Sequence, residues 1–242
     1  MNRAVVLAAL TAALTVALAC AGPARAWQAL PMDLEHWNPQ PLPKVERQTR
    51  WRAQTQDGMT TLVAQSQDAA SGVIHAVDWP GQTTLRWRWK VSRSVRGGRL
   101  DTRSADDFAA RLYVIFDPPD SHLSWGDRTT LALGRKLFGD SLPRAALCYV
   151  WSHTETVGTI APNAYTDRVR MIVLDQGDDQ TGQWRLHERD LAADYQAAFG
   201  HAPAPRIIGV SLMSDTDNTG DSVQAAFAGI EARVGVDAGG ER

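Results

Sequence analysis

Residues 85–91 read LRWRWKV. Apolar and cationic side chains alternate without a break, so an extended chain sets Leu85, Trp87, Trp89 and Val91 on one side and Arg86, Arg88 and Lys90 on the other. A helix would spread both sets around its circumference. The segment is therefore a strand whose tryptophan side faces a core. Residues 108–116 repeat the pattern: Phe108, Ala110, Leu112, Val114 and Phe116 share one side, and Arg111, Tyr113 and Ile115 share the other.

Working outward, short β-like runs recur at 49–55, 59–66, 72–78, 146–152, 168–175, 183–188, 206–213 and 223–234. Turn signals at Asp57-Gly58, Pro80-Gly81 and Gly97-Gly98 separate several of them. One helix is expected, at 191–199: Asp190 suits the N-cap, Leu191, Tyr195 and Phe199 repeat every four residues, and Gly200 suits the end. Many short strands with one short helix predict a mainly β chain, an antiparallel β-sandwich or jelly roll of galactose-binding-like or lectin-like type. Strands and helices do not alternate, which argues against a doubly wound sheet. Residues 117–145 form the longest interruption, with one helical turn expected near 129–137.

The 242 residues carry 25 basic and 27 acidic side chains, a formal net charge of −2, and 44% are hydrophobic. That balance excludes a disordered polyelectrolyte and offers no basic surplus for general nucleic-acid binding. Arg3, the apolar stretch 4–21 and Ala24-Arg25-Ala26 have the layout of a secretory signal peptide, which places the protein in the periplasm or outside the cell. Ala17-Leu18-Ala19-Cys20 offers a second processing site, giving a lipoprotein anchored at Cys20. Once the leader is removed, no membrane span is expected, and Cys148 is left without a disulfide partner. The expected organisation is a signal peptide at 1–26, an extended proline-rich lead-in at 27–48, one sandwich domain at 49–236 and a tail at 237–242.

If 84–91 and 108–116 lie in one sheet, Arg86, Arg88, Lys90, Arg111 and Tyr113 share a face. Like charges set side by side repel, so such a face needs acids, with Glu231 and Asp167 as candidates, or an anionic ligand. An acidic saccharide suits it: arginine forks bind carboxylates bidentately, and Tyr113 adds a ring and a hydroxyl. Trp125, in the long interruption, is a candidate stacking platform, as is Trp79 before its Pro-Gly turn. The expected ligand residues are Arg86, Arg88, Arg111, Tyr113 and Trp125.

Two further constellations carry chemistry. In Asp215-Thr-Asp-Asn-Thr-Gly-Asp221, the oxygens of Asp215, Asp217, Thr219 and Asp221 resemble the opening of a calcium loop. Ala226 stands where an EF-hand needs its bidentate Glu, which leaves a calcium site at the sandwich edge or a turn held by hydrogen bonds. Asp106 and Asp107 are adjacent and point oppositely in an extended chain, so a glycosidase pair needs Asp107 with Asp215, Asp217 or Glu155 from across the fold. His153 is a candidate base. Ser211 lacks the closing Gly of a nucleophile elbow, and the six His show no zinc spacing.

The segments LRWRWKV (85–91), DDFAARLYVIFD (106–117), CYVWSH (148–153), RDLAADYQAAFG (189–200) and IIGVSLMSDTDNTG (207–220) together resemble the bacterial family known as domain of unknown function 3047. The resemblance implies an exported protein without an assigned activity. Its polar positions here are Asp106, Asp107, Arg111, Asp194, Tyr195, Asp215, Asp217, Asn218 and Thr219. The sequence thus leads to a non-catalytic β-sandwich binding module for carbohydrate or another anionic envelope ligand. A glycan-cleaving enzyme and a structural envelope protein stand as alternatives.

Overall fold

A computed structural model describes residues 25–42, 45–56, 58–122 and 144–235. Residues 1–24 of the expected signal peptide, with Cys20, and Trp125, the turn near 129–137 and the tail lie outside the described residues. Two sheets stack as a β-sandwich of jelly-roll type. The six-stranded sheet runs β11 (Arg185–Asp190), β6 (Thr83–Val91), β13 (Ser222–Val234), β4 (Met59–Gln67) and β3 (Arg50–Gln56), with β1 (Gln28–Ala29) on β13. The seven-stranded sheet runs β2 (Asn38–Pro41), β5 (Ala70–Trp79), β12 (Ile207–Asp215), β7 (Arg111–Phe116), β8 (Ala145–Ser152), β10 (Thr166–Gln176) and β9 (Ile160–Asn163). Among the described residues no helix is long and apolar enough to cross a membrane.

The alternation of β6 sorts its side chains as expected: Leu85, Trp87, Trp89 and Val91 are buried, and Arg88 is exposed. They meet Leu112, Val114 and Phe116 of β7 and Tyr149 and Trp151 of β8 in the core between the sheets. Asp175 faces the same core after a register shift in β10, accepting from Trp89 Nε1 at 2.6 Å, His187 Nε2 at 2.7 Å and Arg185 Nε at 3.0 Å. Burial raises its carboxyl, but these bonds outweigh that and hold it below its ordinary value. A second apolar cluster, with Leu100, Phe108, Cys148, Val150, Met171 and Val173, covers the far side of the seven-stranded sheet, so every residue of β8 is buried.

Three features differ from the sequence reading. The lead-in pairs with both sheets, β1 with β13 and β2 with β5. Pro39 and Pro41 are tolerated there because β2 is an edge strand, where a missing N–H need not break a ladder. Next, β10 runs parallel to β8, and the connection carries β9, so the sandwich is not purely antiparallel. Last, β7 starts at Arg111 rather than 108, because the Phe108 N–H goes to a side chain, the Asp215 carboxylate, instead of a ladder.

The helix, α1 (Leu191–Phe199), has the expected ends. Asp190 Oδ1 accepts from the N–H groups of Ala192 and Ala193 at 3.0 and 3.1 Å, and Gly200 closes it at φ 73°. Leu191 and Tyr195 are buried, with the Tyr195 ring 4.8 Å from Phe116. Asp190→Ala should lower stability by about 1 kcal/mol in urea melts, with Asp190→Asn near the parent. Equal losses in the two variants would remove the cap from the account.

Candidate functional site: a cationic sheet face and a buried carboxylate cluster

Strands β6 and β7 lie in different sheets, which divides the expected ligand set. Arg86 and Arg88 point outward from the six-stranded sheet. Arg111 and Tyr113 sit with Ile115 on the far side of the seven-stranded one. Arg111 is 1% exposed and cannot meet a ligand. The Tyr113 hydroxyl lies 3.8 Å from the Met213 sulfur, and burial pushes its phenol well up. Trp79 is buried in the core. Sequence pattern sorts the faces of each strand, but only sheet order decides which faces share a surface.

On the six-stranded sheet the outward residues form a continuous face. Arg86 pairs with Glu231, the acid expected to neutralise it, and its guanidinium lies 4.0 Å over the Trp27 ring. Arg233 covers Trp27 at 4.8 Å and reaches Glu188 at 3.5 Å. Lys90 sits 5.0 Å over Trp184. The sequence reading passed over Arg50 and Arg52, which stand on the same face through the alternation of RWRAQTQ (50–56), with Trp51 turned in to stack on Phe227. Arg50, Arg52 and Arg88 have no acidic partner among the described residues. Ala226, Ala228 and Gly229 keep the middle strand low, and a Cβ on Gly229 would come within 3.4 Å of Arg88 Nη1.

The aspartates form the second site, at one end of the seven-stranded sheet. The chain approaches closely there: a Cβ on Gly98 would lie 2.2 Å from the Asp107 carbonyl oxygen. Arg111 donates through Nε to Asp215 at 2.9 Å and through Nη1 to Asp106 at 3.2 Å, while Nη2 reaches Asp215 and the Asp106 carbonyl. Burial works against the Arg111 charge, but the two carboxylates outweigh it and keep the guanidinium charged. The other Asp106 oxygen accepts from the Asn163 amide at 2.9 Å. Adjacent Asp106 and Asp107 thus diverge to separate partners.

Asp107, Asp215 and Asp217 do converge, offering oxygens within 4.8 Å of one another. Burial pushes Asp215 up to about 7 against the pull of Arg111, and burial, then Asp107, raise Asp217. The convergence is not open, because Asp107 and Asp215 are 0% and 3% exposed. Asp107 Oδ1 accepts from the Asn218 amide at 3.0 Å and backbone at 3.3 Å, and Oδ2 from the Thr219 backbone and hydroxyl at 2.7 Å. Those bonds use all the lone pairs of that carboxylate. They also close the Asp-Thr-Asp-Asn-Thr-Gly turn from outside, leaving Asp107 and Asp215 no free face for a sugar.

Of the four residues expected to hold calcium, Asp215 and Asp217 converge, while Asp221 and Thr219 are engaged elsewhere. Asp221 is engaged by Arg93, by the Arg96 N–H at 3.3 Å and by the Ser222 N–H at 2.8 Å, and the Thr219 hydroxyl donates to Asp107. Calcium takes about six to eight oxygens. With Asp107 saturated, thermal melts in calcium and in chelator should coincide, and a calcium-dependent rise in Tm would assign the cluster to a cation.

The remaining chemical candidates have structural partners. Glu155 accepts from the Leu100 N–H at 3.2 Å and from Ser152, apart from Asp107. Ser94 gives its one proton to Asp178 at 2.8 Å, so His153 must donate its Nδ1–H to Ser94 at 2.7 Å rather than act as its base. Ser211 lies 2.5 Å from Gln40 Oε1, and burial pushes the Cys148 thiol up to about 12. Asp194 accepts from Tyr149 at 2.6 Å and Arg189 at 2.5 Å, tying helix to core.

Comparison with known proteins places these features in context. The sequence model of a family described as protein of unknown function (DUF3047) matches residues 35–231. No curated protein matches the sequence. Among solved structures, the chain is similar to a family 12 xyloglucanase from Bacillus licheniformis, at 10% identity and TM-score 0.44, covering 87% of this chain and 100% of that one. It is also similar to the xyloglucanase domain of NopAA, a type three effector from Sinorhizobium fredii, at 7% identity and TM-score 0.42, over 82% of this chain and 93% of that one. Endoglucanase 3 of Trichoderma harzianum is a further such structure, at 6% identity and TM-score 0.36, over 90% and 100%. Likeness at these values transfers no ligand or activity.

Proposed function

The chain belongs to the DUF3047 family, and we propose that it is an exported, non-catalytic binding module that holds an acidic saccharide on the outer face of its six-stranded sheet. The observation that carries this reading is one of charge. Among the described residues Arg50, Arg52 and Arg88 have no acid partner and Lys90 has only the Trp184 ring, and Glu231 and Glu188 are taken by Arg86 and Arg233. Cations left together repel one another, and an anionic ligand relieves that repulsion. From Arg52 to Lys90 the face crosses three strand spacings, about 14 Å, which fits an extended polyanion better than one small ion. The saccharide is placed here rather than at Asp107, Asp215 and Asp217 because Asp107 and Asp215 are buried, at 0% and 3% exposure.

Calorimetry on the full chain with polygalacturonate, its methyl ester and a neutral glucan tests the reading. The acidic polymer alone should bind, more weakly as salt is raised. Arg52→Ala with Arg88→Ala should weaken it about tenfold, the effect of losing one or two charge-assisted hydrogen bonds. Absence of binding at low salt, or equal binding of the neutral glucan, overturns the proposal.

A further inference from the structure

Where β3 and β4 meet the turn into β5, the cationic face ends in a recess of about 470 Å³, lined by Arg47, Gln48, Arg50, Gln65, Gln67 and Ala69. That size lies in the usual range for small-ligand sites. The recess follows from alternation: Gln65 and Gln67 point out because Ala64 and Ser66 are buried, and Arg50 is paired in register with Gln65.

Its back wall is held by buried hydrogen bonds. Ser66 Oγ donates to the Ala69 carbonyl at 2.6 Å and meets Thr216 Oγ1 at 2.9 Å, and Thr49 Oγ1 donates to the Ser214 carbonyl at 2.7 Å. The wall is therefore firm and the lip is polar, a combination that limits the ordering cost of binding. Arg47 is tied to Asp68 at 2.5 Å, which leaves Arg50 as the free guanidinium of the recess among the described residues.

We infer that this recess is the subsite for the terminal unit of the saccharide, a single hexuronate whose carboxylate meets Arg50 and whose hydroxyls meet the amides of Gln65 and Gln67. The inference rests on the reading of the sheet face as a saccharide platform and adds the class of its end unit. The residues match that class. One free fork balances a monoanion better than a dianionic phosphate, and its planar donors fit the two oxygens of a carboxylate. The amides of Gln65 and Gln67 supply donors and acceptors to a ring of hydroxyls, which bear both, while Gln48 donates to the Val45 carbonyl at 3.3 Å. No other charge is left in the recess to bind a second anionic group.

The test uses the full chain with galacturonate, trigalacturonate, the methyl ester of the trimer and inorganic phosphate, read by calorimetry and by NMR shifts of the Gln65 and Gln67 side-chain amides. Galacturonate should shift both amides. Trigalacturonate should bind at least about tenfold more tightly than its ester, and Arg50→Lys should remove about tenfold, because an ammonium cannot replace the fork. Arg88→Ala, three strand spacings away, should weaken the polymer while leaving the monomer unchanged.

If Arg50→Lys binds monomer and trimer as the parent does while polymer binding still depends on Arg88, the subsite is overturned and the face stands. If the monomer depends on Arg50 but no polymer binds, the face is overturned and the subsite stands. Binding of none of these ligands overturns both. Phosphate displacing galacturonate at equal concentration overturns the carboxylate class.

Discussion

Arg111→Met is expected to lower folding stability by about 3–5 kcal/mol at pH 8, the loss typical of breaking a buried ion pair from one side. Methionine fills much of the space, so the loss should come from charge. Without the guanidinium, Asp106 and Asp215 are buried carboxylates, at 7% and 3% exposure, held only by neutral donors. The pH dependence separates this from a packing defect. The Asp215 carboxyl is raised to about 7 in the folded protein, above its unfolded value. Its contribution is therefore fully present below about pH 4 and lost as pH rises through about 7. Removing Arg111 raises that carboxyl further, so the variant should regain stability relative to the parent as the pH falls from 8 to 5. Urea midpoints at the two values measure this. A deficit equal at both would show that Arg111 acts by volume alone.

Trp89 carries the second large effect. It is fully buried, lies 5.7 Å from Trp87 and 5.2 Å from His187, and donates to Asp175 at 2.6 Å. Trp89→Ala should cost about 3–5 kcal/mol through the cavity it leaves. Trp89→Phe keeps a ring but deletes the donor, and a hydrogen bond to a charged group is worth about 1.5–3 kcal/mol. The sign of its pH effect is opposite to that of Arg111. Asp175 is held below its ordinary carboxyl value, so its contribution is present above about pH 4 and lost as pH falls through the folded value. With the Trp89 bond gone that folded value rises, so acid unfolding followed by near-ultraviolet circular dichroism should begin at a higher pH. An unchanged acid midpoint in Trp89→Phe would mean that His187 and Arg185 suffice.

These expectations show how far local pattern reaches. LRWRWKV (85–91) orients every one of its side chains, because a strand has a period of two and any other pairing would bury arginines. The helix at 191–199 matched end to end, since Asp190 and Gly200 act on backbone groups within three or four residues of themselves. The same alternation in 50–56 would have shown Arg50 and Arg52 on one side of a strand. Nothing local says that this strand lies three strand spacings from Lys90 and Arg88 in the same sheet.

The aspartates were legible as a set and misleading as a site. Asp107 and Asp215, more than a hundred residues apart, do converge with Asp217, yet the first two are enclosed. Asn218 and Thr219 saturate Asp107, and Arg111, read as a ligand residue, neutralises Asp215. An arginine beside aspartates looks the same in sequence whether it awaits a carboxylate or already holds one.

By itself the sequence determined ten of the thirteen described strands, the helix with its caps, and the inward side of the tryptophan strand, all properties set by neighbours a few residues apart. Only the tertiary structure decided that β6 and β7 belong to different sheets, that Arg111 is buried, and that Arg50 joins Arg88 on one surface. The physical reason is that sheet order and burial arise from pairings between distant strands, and a two-residue period carries no information about which partner each strand will meet.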